Sequence, residues 1–209
     1  MSDDNPAQSV SSARLAGRVI ILTGAAGNIG RWISRSLLRE GAKLVMCGRD
    51  GGKLDAFIDE LAGEGFDREA IVAAVGDSED PTLCREIVAT TLARFGRLDV
   101  LVNNAGAAGP RRTLRDIPFS DAEMRARGDE QTMLDSAMNL LAAPWNMVRA
   151  AVPHMADCGS IINISTIFSR THYFGRIPYT VPKSGLNALS HGLALELGGD
   201  TRLMAAIIT

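Results

Sequence analysis

Tyr179 and Lys183 are separated by four positions, a spacing that could support acid–base chemistry. The apolar residues that follow recur with helical periodicity, so both side chains are predicted on one face of a helix. An ammonium group one turn away favours the phenolate form of a tyrosine, which makes its hydroxyl a usable proton donor and acceptor near neutral pH. Ser165 or Thr166, at the end of the preceding apolar run, could hold a carbonyl oxygen against it. The alternative is a helix with an exposed tyrosine and a solvated lysine.

Short apolar runs that alternate with helical patterns must position these residues. Residues 18–23, 43–47, 70–75, 99–103, 161–164 and 203–208 are predicted to be buried strands. Helices are predicted over 29–40, 53–62, 81 to about 95 and 132–155, the last bent or ended by Pro144 and Pro153. Gly41 is expected to end the first helix, and Asp80-Pro81 to begin the third. This alternation indicates an α/β fold, a Rossmann-like doubly wound parallel sheet with helices on both faces.

In such a fold a dinucleotide binds at the first turn from strand to helix. That turn contains Thr23, Gly24, Gly27, Asn28, Ile29 and Gly30. Its glycines allow the backbone to approach a pyrophosphate, and the N-terminus of the helix offers amide donors. A glycine-rich turn can also serve geometry alone, but this one follows a buried strand and opens a helix, which favours a cofactor role.

The turn after the second strand indicates which cofactor binds. Gly48 occupies the place where an acidic ligand of a ribose hydroxyl is usual, and Arg49 follows it. An arginine there suits a 2′-phosphate, so NADP(H) is favoured over NAD. The neighbouring Asp50 argues against this choice, and Arg49 could also be a solvated surface residue.

Two further turns fit the same ligand. Asp77, after the third strand, could accept a hydrogen bond from an adenine amino group, although it could equally cap a helix. Asn104, Ala105 and Gly106 follow the fourth strand, where small residues would let a cofactor pass close to the backbone. The alternative for this segment is a turn with polar caps.

Three motifs, in this order and spacing, resemble the short-chain dehydrogenase/reductase family: the Thr-Gly-rich turn, Asn-Asn-Ala-Gly from Asn103, and Tyr-x-x-x-Lys. The resemblance covers the chain from about Leu15 to its end. It implies that Tyr179 is the catalytic acid/base and that Lys183 binds the nicotinamide ribose. It also implies that Asn139 holds a proton-relay water.

The chain departs from the family pattern at two positions. Asn28 replaces the middle glycine of the turn, and we expect this to be tolerated because asparagine accepts left-handed conformations. The serine of the family lies thirteen residues before the tyrosine, where this chain has Thr166. The resemblance therefore implies Thr166 as the hydroxyl donor, with Ser165 as the alternative.

Longer runs at 108–112, 165–170 and 173–179 resemble a narrower group of this family, the amino-terminal reductase half of bifunctional malonyl-CoA reductases. That resemblance implies reduction of malonate semialdehyde to 3-hydroxypropionate with NADPH, in a chain continuous with a second reductase half. A substrate carboxylate needs a cationic anchor, and the candidates after strands four and five are Arg111, Arg112, Arg170 and Arg176. Each could instead be a solvated or phosphate-facing side chain.

Two other functions remain open from the residues. One is reduction of another carbonyl, such as a 3-oxoacyl thioester, which would call for an apolar acyl channel. The other is non-catalytic NADP binding within a larger enzyme, which would not need Tyr179, Lys183 and Asn139 together. Residues 111–136 exceed what a minimal reductase requires and could form a helical flap over the site.

The composition indicates one domain over 15–209, after a disordered polar tail at 1–14. Hydrophobic residues make up 46% and charged residues 22% of the chain, and with a net charge of −2 the scattered basic residues predict no nucleic-acid surface. Cys47, Cys84 and Cys158 lie far apart, which favours reduced core thiols in a cytoplasm over disulfides or a zinc site.

No apolar run is long enough for a membrane helix, and the histidines lack metal-ligand spacing. The family resemblance implies that the chain continues beyond Thr209 with a further strand, and we expect the sheet edge without that strand to be open to pairing. We also expect a homo-oligomer that acts on a small-molecule carbonyl substrate.

Overall fold

A computed structural model describes residues 13–106, 111, 113–116, 122–123, 138–171, 173–198 and 203–208. The strands are β1 (Val19–Thr23), β2 (Lys43–Gly48), β3 (Ile71–Val75), β4 (Val100–Asn103), β5 (Gly159–Ile164) and β6 (Leu203–Ile208). They form one sheet in the order β3-β2-β1-β4-β5-β6, and every neighbouring pair is parallel. The predicted parallel sheet is confirmed. All carboxyl ends therefore meet at one edge, and the chain changes direction across the sheet between β1 and β4, where such folds bind ligands.

Helices cover both faces of the sheet. They are α1 (Asn28–Arg39), α2 (Gly51–Gly63), α3 (Pro81–Phe95), α4 (Ala143–Ala151), α5 (Phe168–Thr171) and α6 (Ile177–Gly198). One core joins the sheet to α1 and α2 through side chains such as Leu38, Phe57 and Leu61. The other joins it to α3, α4 and α6 through side chains such as Ile87, Met147 and Leu193. Each such burial stabilises the fold by about 1.5–3 kcal/mol, so the sheet that carries the site is held from both sides.

Local signals in the sequence set the helix boundaries. The Asp80 carboxylate accepts a hydrogen bond from the Thr82 amide at 2.7 Å, and Pro81 opens α3. Such a cap contributes about 1 kcal/mol to helix stability. Gly41 follows the end of α1 with φ 82°, a left-handed conformation that glycine adopts without strain. Both predicted boundaries are confirmed.

The helix predicted over 132–155 is interrupted where it is described. A π-helical turn occupies Met138–Ala142, α4 follows, and a 3₁₀ turn occupies Val152–His154. Pro144 lies in the first turn of α4 and Pro153 in the 3₁₀ turn, because proline cannot donate the backbone hydrogen bond of a continuous α-helix. Thr132 lies outside the described residues, as does most of the segment predicted as a flap.

The cysteines differ from one another in their surroundings. Cys47 and Cys84 are buried and free, as expected for core thiols, and burial raises the pKa of both. Cys158 is also free but exposed, so the expectation of a core thiol is wrong there. It occupies a turn before β5 with φ 60°, and a turn is placed at the surface. Within the described residues, no helix has both the length and the apolarity needed to cross a membrane.

Candidate active site

A cleft of about 200 Å³ opens at the carboxyl edge of the sheet. It collects the turns that follow β1, β2, β3 and β4, together with the π-helical turn before α4. Its lining residues are Thr23, Gly24, Cys47, Gly48, Arg49, Gly76, Asp77, Ser78, Ile87, Ala105, Gly106 and Asn139. Most of the predicted cofactor turns are therefore brought to one cavity. Gly27 is the N-cap of α1, and Asn28, Ile29 and Gly30 are its first residues; none of these four lines the cavity.

Two glycines of the first turn are required by close backbone packing. Gly24 has φ 65°, and a Cβ atom there would lie 2.9 Å from the Cα atom of Ala105. A Cβ atom on Gly30 would lie 2.1 Å from the carbonyl oxygen of Gly24. Asn28 is the first residue of α1, so the expected left-handed conformation is wrong; a helical position accepts asparagine without it.

Thr23 and Asn104 lock the turns after β1 and β4 together. The Thr23 hydroxyl oxygen accepts hydrogen bonds from the amides of Asn104 and Ala105, each at 3.0 Å. The Asn104 side-chain amide donates to the carbonyl oxygens of Thr23 and Gly24, at 3.0 and 3.2 Å. One wall of the cleft is therefore fixed before any ligand binds.

The charged residues after β2 and β3 have different partners and exposures. The Asp50 carboxylate is the N-cap of α2 and accepts from the Lys53 amide at 3.0 Å, a bond that lowers the pKa of Asp50. The Arg49 side chain is 70% exposed on the cleft wall, with Nη1 3.9 Å from Oδ2 of Asp77. Asp77 accepts from the Glu79 amide but does not cap α3, because Asp80 is its N-cap.

Lys183 is buried between α6, the helix that carries it, and the sheet. Only 5% of the residue is exposed, and Nζ donates to the carbonyl oxygen of Ile164 at the end of β5. Burial lowers the pKa of Lys183 to about 8. Nζ is also 4.0 Å from the position that a Cβ atom on Gly106 would take, so the ammonium group borders the cleft. The alternative of a solvated lysine is therefore wrong.

Tyr179 lies in the first turn of α6, one turn before Lys183, and is half-buried. The Tyr179 amide donates to the carbonyl oxygen of Arg176 at 3.0 Å, which begins the helix. The predicted placement of Tyr179 and Lys183 at i and i+4 on one helix is confirmed.

The hydroxyls of Ser165 and Thr166 have different partners. Ser165 is 9% exposed, and its hydroxyl donates to the carbonyl oxygen of Lys183 at 3.3 Å. The Thr166 hydroxyl oxygen accepts from the Phe168 amide at 3.3 Å and is half-exposed. A hydroxyl has one donor and two acceptor positions. The Thr166 hydroxyl accepts in this contact, so it can still donate a hydrogen bond to another oxygen.

Helix α5, which the sequence did not predict, is seated on α6 by polar contacts. The Ser169 hydroxyl donates to the carbonyl oxygen of Thr166 at 2.6 Å. The Asn187 side chain donates to that hydroxyl at 2.8 Å, and the Ser184 hydroxyl donates to the Ser169 carbonyl oxygen at 3.1 Å. These contacts hold the residues that follow Thr166 in place.

The arginines predicted as substrate anchors have separate environments. Arg111 Nε donates to the carbonyl oxygen of Phe174 at 3.1 Å, and its guanidinium lies 4.9 Å from the ring centre of Tyr173. Arg170 is exposed on α5, and Arg176 is half-buried immediately before α6. Arg112 lies outside the described residues. Asn139 lies in the π-helical turn and contributes to the cleft wall.

A buried polar chain that the sequence analysis missed connects the sheet to α6. Asn103 Nδ2 donates to Oδ1 of Asn163 at 2.8 Å, and Asn163 Nδ2 donates to the Ser190 hydroxyl oxygen at 2.7 Å. The indication of this contact in the sequence was Asn163, a single asparagine within the apolar run of β5. A buried polar side chain requires a partner, so this position could have been identified as a cross-link. The described residues contain no cluster of potential metal ligands.

Sequence comparison finds relatives over almost the whole chain. A profile described as short chain dehydrogenase matches residues 18–207. L-fucose dehydrogenase of Oryctolagus cuniculus is 36% identical over 189 residues, which are 89% of this chain and 60% of that protein. The 1,6-dihydroxycyclohexa-2,4-diene-1-carboxylate dehydrogenase of Pseudomonas putida is 32% identical over 184 residues, 88% of this chain and 62% of that protein. The chain thus spans less than two thirds of the length of these relatives.

Structural comparison gives two informative neighbours, both solved with NADP. The N-domain of a bacterial malonyl-CoA reductase is 41% identical with a TM-score of 0.88, and the match covers 93% of this chain and 36% of that chain. A metagenomic short-chain oxidoreductase is 31% identical with a TM-score of 0.79, and the match covers 93% of this chain and 82% of that chain.

Proposed function

Because this chain belongs to the short chain dehydrogenase family, we propose that it is an oxidoreductase that reduces a small carbonyl compound with NADPH. Its substrate is malonate semialdehyde and its product is 3-hydroxypropionate, as in the reductase part of a malonyl-CoA reductase. The observation that carries this choice is the 41% identity, over 93% of the chain, with the N-domain of a bacterial malonyl-CoA reductase.

The residues of the cleft suit NADP(H). Gly24 and Gly30 allow the turn after β1 to pack tightly before α1, and the N-terminus of α1 would offer amide donors to a pyrophosphate. Arg49 offers an exposed guanidinium for a 2′-phosphate, while Asp50 is engaged as a helix cap and does not claim a ribose hydroxyl. When bound, NADPH supplies the hydride. Asp77 is in place to meet the adenine amino group, and Ala105 and Gly106 leave room along the backbone.

Proton transfer is assigned to the first turn of α6. Tyr179 donates the proton to the carbonyl oxygen of the substrate as negative charge grows there. Lys183, one turn away, is mostly protonated at neutral pH because its pKa is about 8, so its positive charge favours the phenolate that remains. Lys183 also binds the nicotinamide ribose, and Asn139 holds the water that returns a proton to the site.

Thr166 holds the carbonyl oxygen during the transfer. Its hydroxyl oxygen is oriented by the Phe168 amide, and its proton is left for the substrate. Ser165 is already engaged with the Lys183 carbonyl oxygen, which favours Thr166 for this role. The substrate carboxylate is anchored by Arg112, Arg170 or Arg176. The Nε atom of Arg111 already donates to the carbonyl oxygen of Phe174.

The test is NADPH oxidation by the purified protein with malonate semialdehyde, a 3-oxoacyl thioester and a neutral ketone as substrates. We expect the highest kcat/KM with malonate semialdehyde, and none of these activities in Tyr179→Phe. A preference for the thioester or the ketone would reassign the substrate within the family. NADPH binding without turnover of any carbonyl would instead support the non-catalytic alternative.

The assembly and location of the protein belong to the same proposal. We propose a homo-oligomer that acts in the cytoplasm and is joined to a second reductase half. Native mass measurement of the chain at its physiological length tests the oligomer, because a mass equal to one chain would exclude it.

A further inference from the structure

Three side chains form a continuous stack between two loops at the carboxyl edge of the sheet. The Arg111 guanidinium lies 4.9 Å from the ring centre of Tyr173, and the Tyr173 ring stacks on Phe168 with centroids 4.9 Å apart and an interplanar angle of 24°. Arg111 follows β4, whereas Phe168 and Tyr173 lie between β5 and α6. We call these three residues the latch, because they join segments that are far apart in the chain.

The latch is closed by a backbone contact as well as by stacking. Arg111 Nε donates to the carbonyl oxygen of Phe174 at 3.1 Å, and its guanidinium is also 5.9 Å from the Phe174 ring centre. Phe174 is 73% exposed and Tyr173 is 48% exposed, so burial alone does not hold these rings in place. A planar guanidinium can stack on a ring through its face while an N–H in its plane donates a hydrogen bond. A flexible ammonium cannot make both contacts in this way.

The latch is linked through hydrogen bonds of its backbone to the Thr166 hydroxyl and to the backbone of Tyr179. The Phe168 amide donates to the hydroxyl oxygen of Thr166 at 3.3 Å. The Tyr173 carbonyl oxygen accepts from the Arg176 amide at 3.2 Å, and the Arg176 carbonyl oxygen accepts from the Tyr179 amide at 3.0 Å. Movement of the stack would therefore change the orientation of Thr166 and the start of the helix that carries Tyr179.

We propose that Arg111 is a positioning residue, which acts through the latch to hold the Thr166 hydroxyl and the start of α6 in place. The latch joins Arg111 to the segment before α6, and it keeps the Phe168 amide against Thr166. This inference depends on the proposed function for its choice of substrates. It changes the role of Arg111, whose Nε and ring-facing surface are used within the protein rather than for a substrate carboxylate.

Variants of Arg111 and of Tyr173 distinguish a role of Arg111 in the latch from a role as anchor of a substrate carboxylate. Arg111→Ala removes both roles, whereas Arg111→Lys keeps the positive charge and removes the planar stack. Tyr173→Leu removes the ring, and Tyr173→Phe keeps it as a matched control. Arg115→Ala removes an exposed arginine from the same segment of the chain and controls for the loss of charge.

The kinetic measurement compares malonate semialdehyde, a neutral aldehyde of similar size and a 3-oxoacyl thioester. For a latch, Arg111→Ala, Arg111→Lys and Tyr173→Leu lower kcat/KM about tenfold for every one of these carbonyls that the wild type reduces, the neutral aldehyde included. NADPH affinity stays unchanged, and Tyr173→Phe and Arg115→Ala match the wild type. If only the acidic aldehyde is affected and Arg111→Lys retains activity, Arg111 is an anchor and the latch is refuted.

A structural measurement keeps this test independent of the substrate. Hydrogen exchange of the backbone amides in residues 166–179 is expected to be about tenfold faster in Arg111→Ala and Tyr173→Leu than in the wild type or Tyr173→Phe. Unchanged exchange would overturn the latch even if malonate semialdehyde is the substrate. Faster exchange in a protein that reduces none of the tested carbonyls would leave the latch standing and refute the proposed function instead.

Discussion

Replacing Lys183 with methionine is expected to stabilise the fold at neutral pH while it removes catalysis. Lys183 is 5% exposed, and burial lowers its pKa from 10.5 to about 8. At neutral pH the folded chain therefore carries a buried charge that is better solvated in the unfolded chain. Methionine keeps an unbranched apolar side chain of similar length but has no charge.

The direction of the pH dependence follows from these two pKa values. Because the folded-state pKa is lowered, the unfolded state binds more protons between about pH 8 and 10.5, and stability rises with pH in that range. The full penalty is present below pH 8 and disappears above about pH 10.5. It amounts to about 3 kcal/mol at pH 7 and about 1 kcal/mol at pH 10.

The hydrogen bond from Lys183 Nζ to the Ile164 carbonyl oxygen acts in the opposite direction. Its loss costs about 1–2 kcal/mol, with little dependence on pH. Lys183→Met is therefore expected to stabilise the fold by about 1–2 kcal/mol at pH 7 and to be neutral or slightly destabilising at pH 10. The difference of about 2 kcal/mol between the two pH values is the quantity that reports the lowered pKa.

Urea unfolding of the wild type and the variant at both pH values, without added nucleotide, measures this difference. Lys53→Met is the control for replacement of a lysine at the surface, because the Lys53 side chain is 77% exposed on α2. NADPH-dependent turnover of Lys183→Met is measured alongside and is expected to be lost. An identical change in unfolding free energy at both pH values would refute the reasoning.

Three further outcomes concern the cofactor and the reacting groups. Arg49→Ala should weaken NADPH binding about ten- to a hundredfold and leave NADH binding unchanged in a fluorescence titration, whereas equal binding of both cofactors by the wild type would contradict the assignment. Tyr179→Phe should abolish carbonyl reduction with NADPH affinity intact, and substantial turnover would exclude Tyr179 as the proton donor. Thr166→Val should lower kcat by roughly 10²–10³ and Ser165→Ala by less than about tenfold, as measured at saturating substrate. The reverse order would transfer the role to Ser165.

The sequence predicted the parts of the site that depend on local pattern. Tyr179 and Lys183 fall on one helix because their spacing and the apolar periodicity that follows are local properties. The burial of Lys183 is different, because it is produced by Ile164 and Gly106, which are distant in the chain. No pattern around Lys183 could distinguish a buried ammonium from a solvated one.

Short and interrupted helices were predicted less well than long ones. Helix α5 has four residues and is held by Ser184 and Asn187 of α6, which are contacts that periodicity does not report. Pro144 correctly indicated an irregularity, but a proline cannot show whether the chain before it forms a π-helical turn or ends. The hydrogen bonds between Thr23 and Asn104 could not be predicted either, because they depend on β1 and β4 being neighbours in the sheet.

Arg111 has contacts within the protein that the sequence did not indicate. Counting cations after β4 and β5 placed Arg111 among the substrate anchors. Tyr173 and Phe174 were not considered as its partners, because stacking of a guanidinium on aromatic rings leaves no spacing pattern across separate loops.

The asparagine pair between β4 and β5 determines which alignment of these two strands is stable. Asn103 stands directly opposite Asn163, and the neighbouring pairs, such as Val102 with Ile162, are apolar. Sliding one strand by two residues keeps each side chain on its own face of the sheet and can still form an apolar pair such as Val100 with Ile162, so the apolar residues discriminate poorly between alignments. It would also separate the two buried amides and leave Asn163 without the Asn103 donor, at a cost of about 1–3 kcal/mol for each unpaired group. The correct alignment sets how far Ile164 projects along the sheet, and therefore where its carbonyl oxygen meets Lys183.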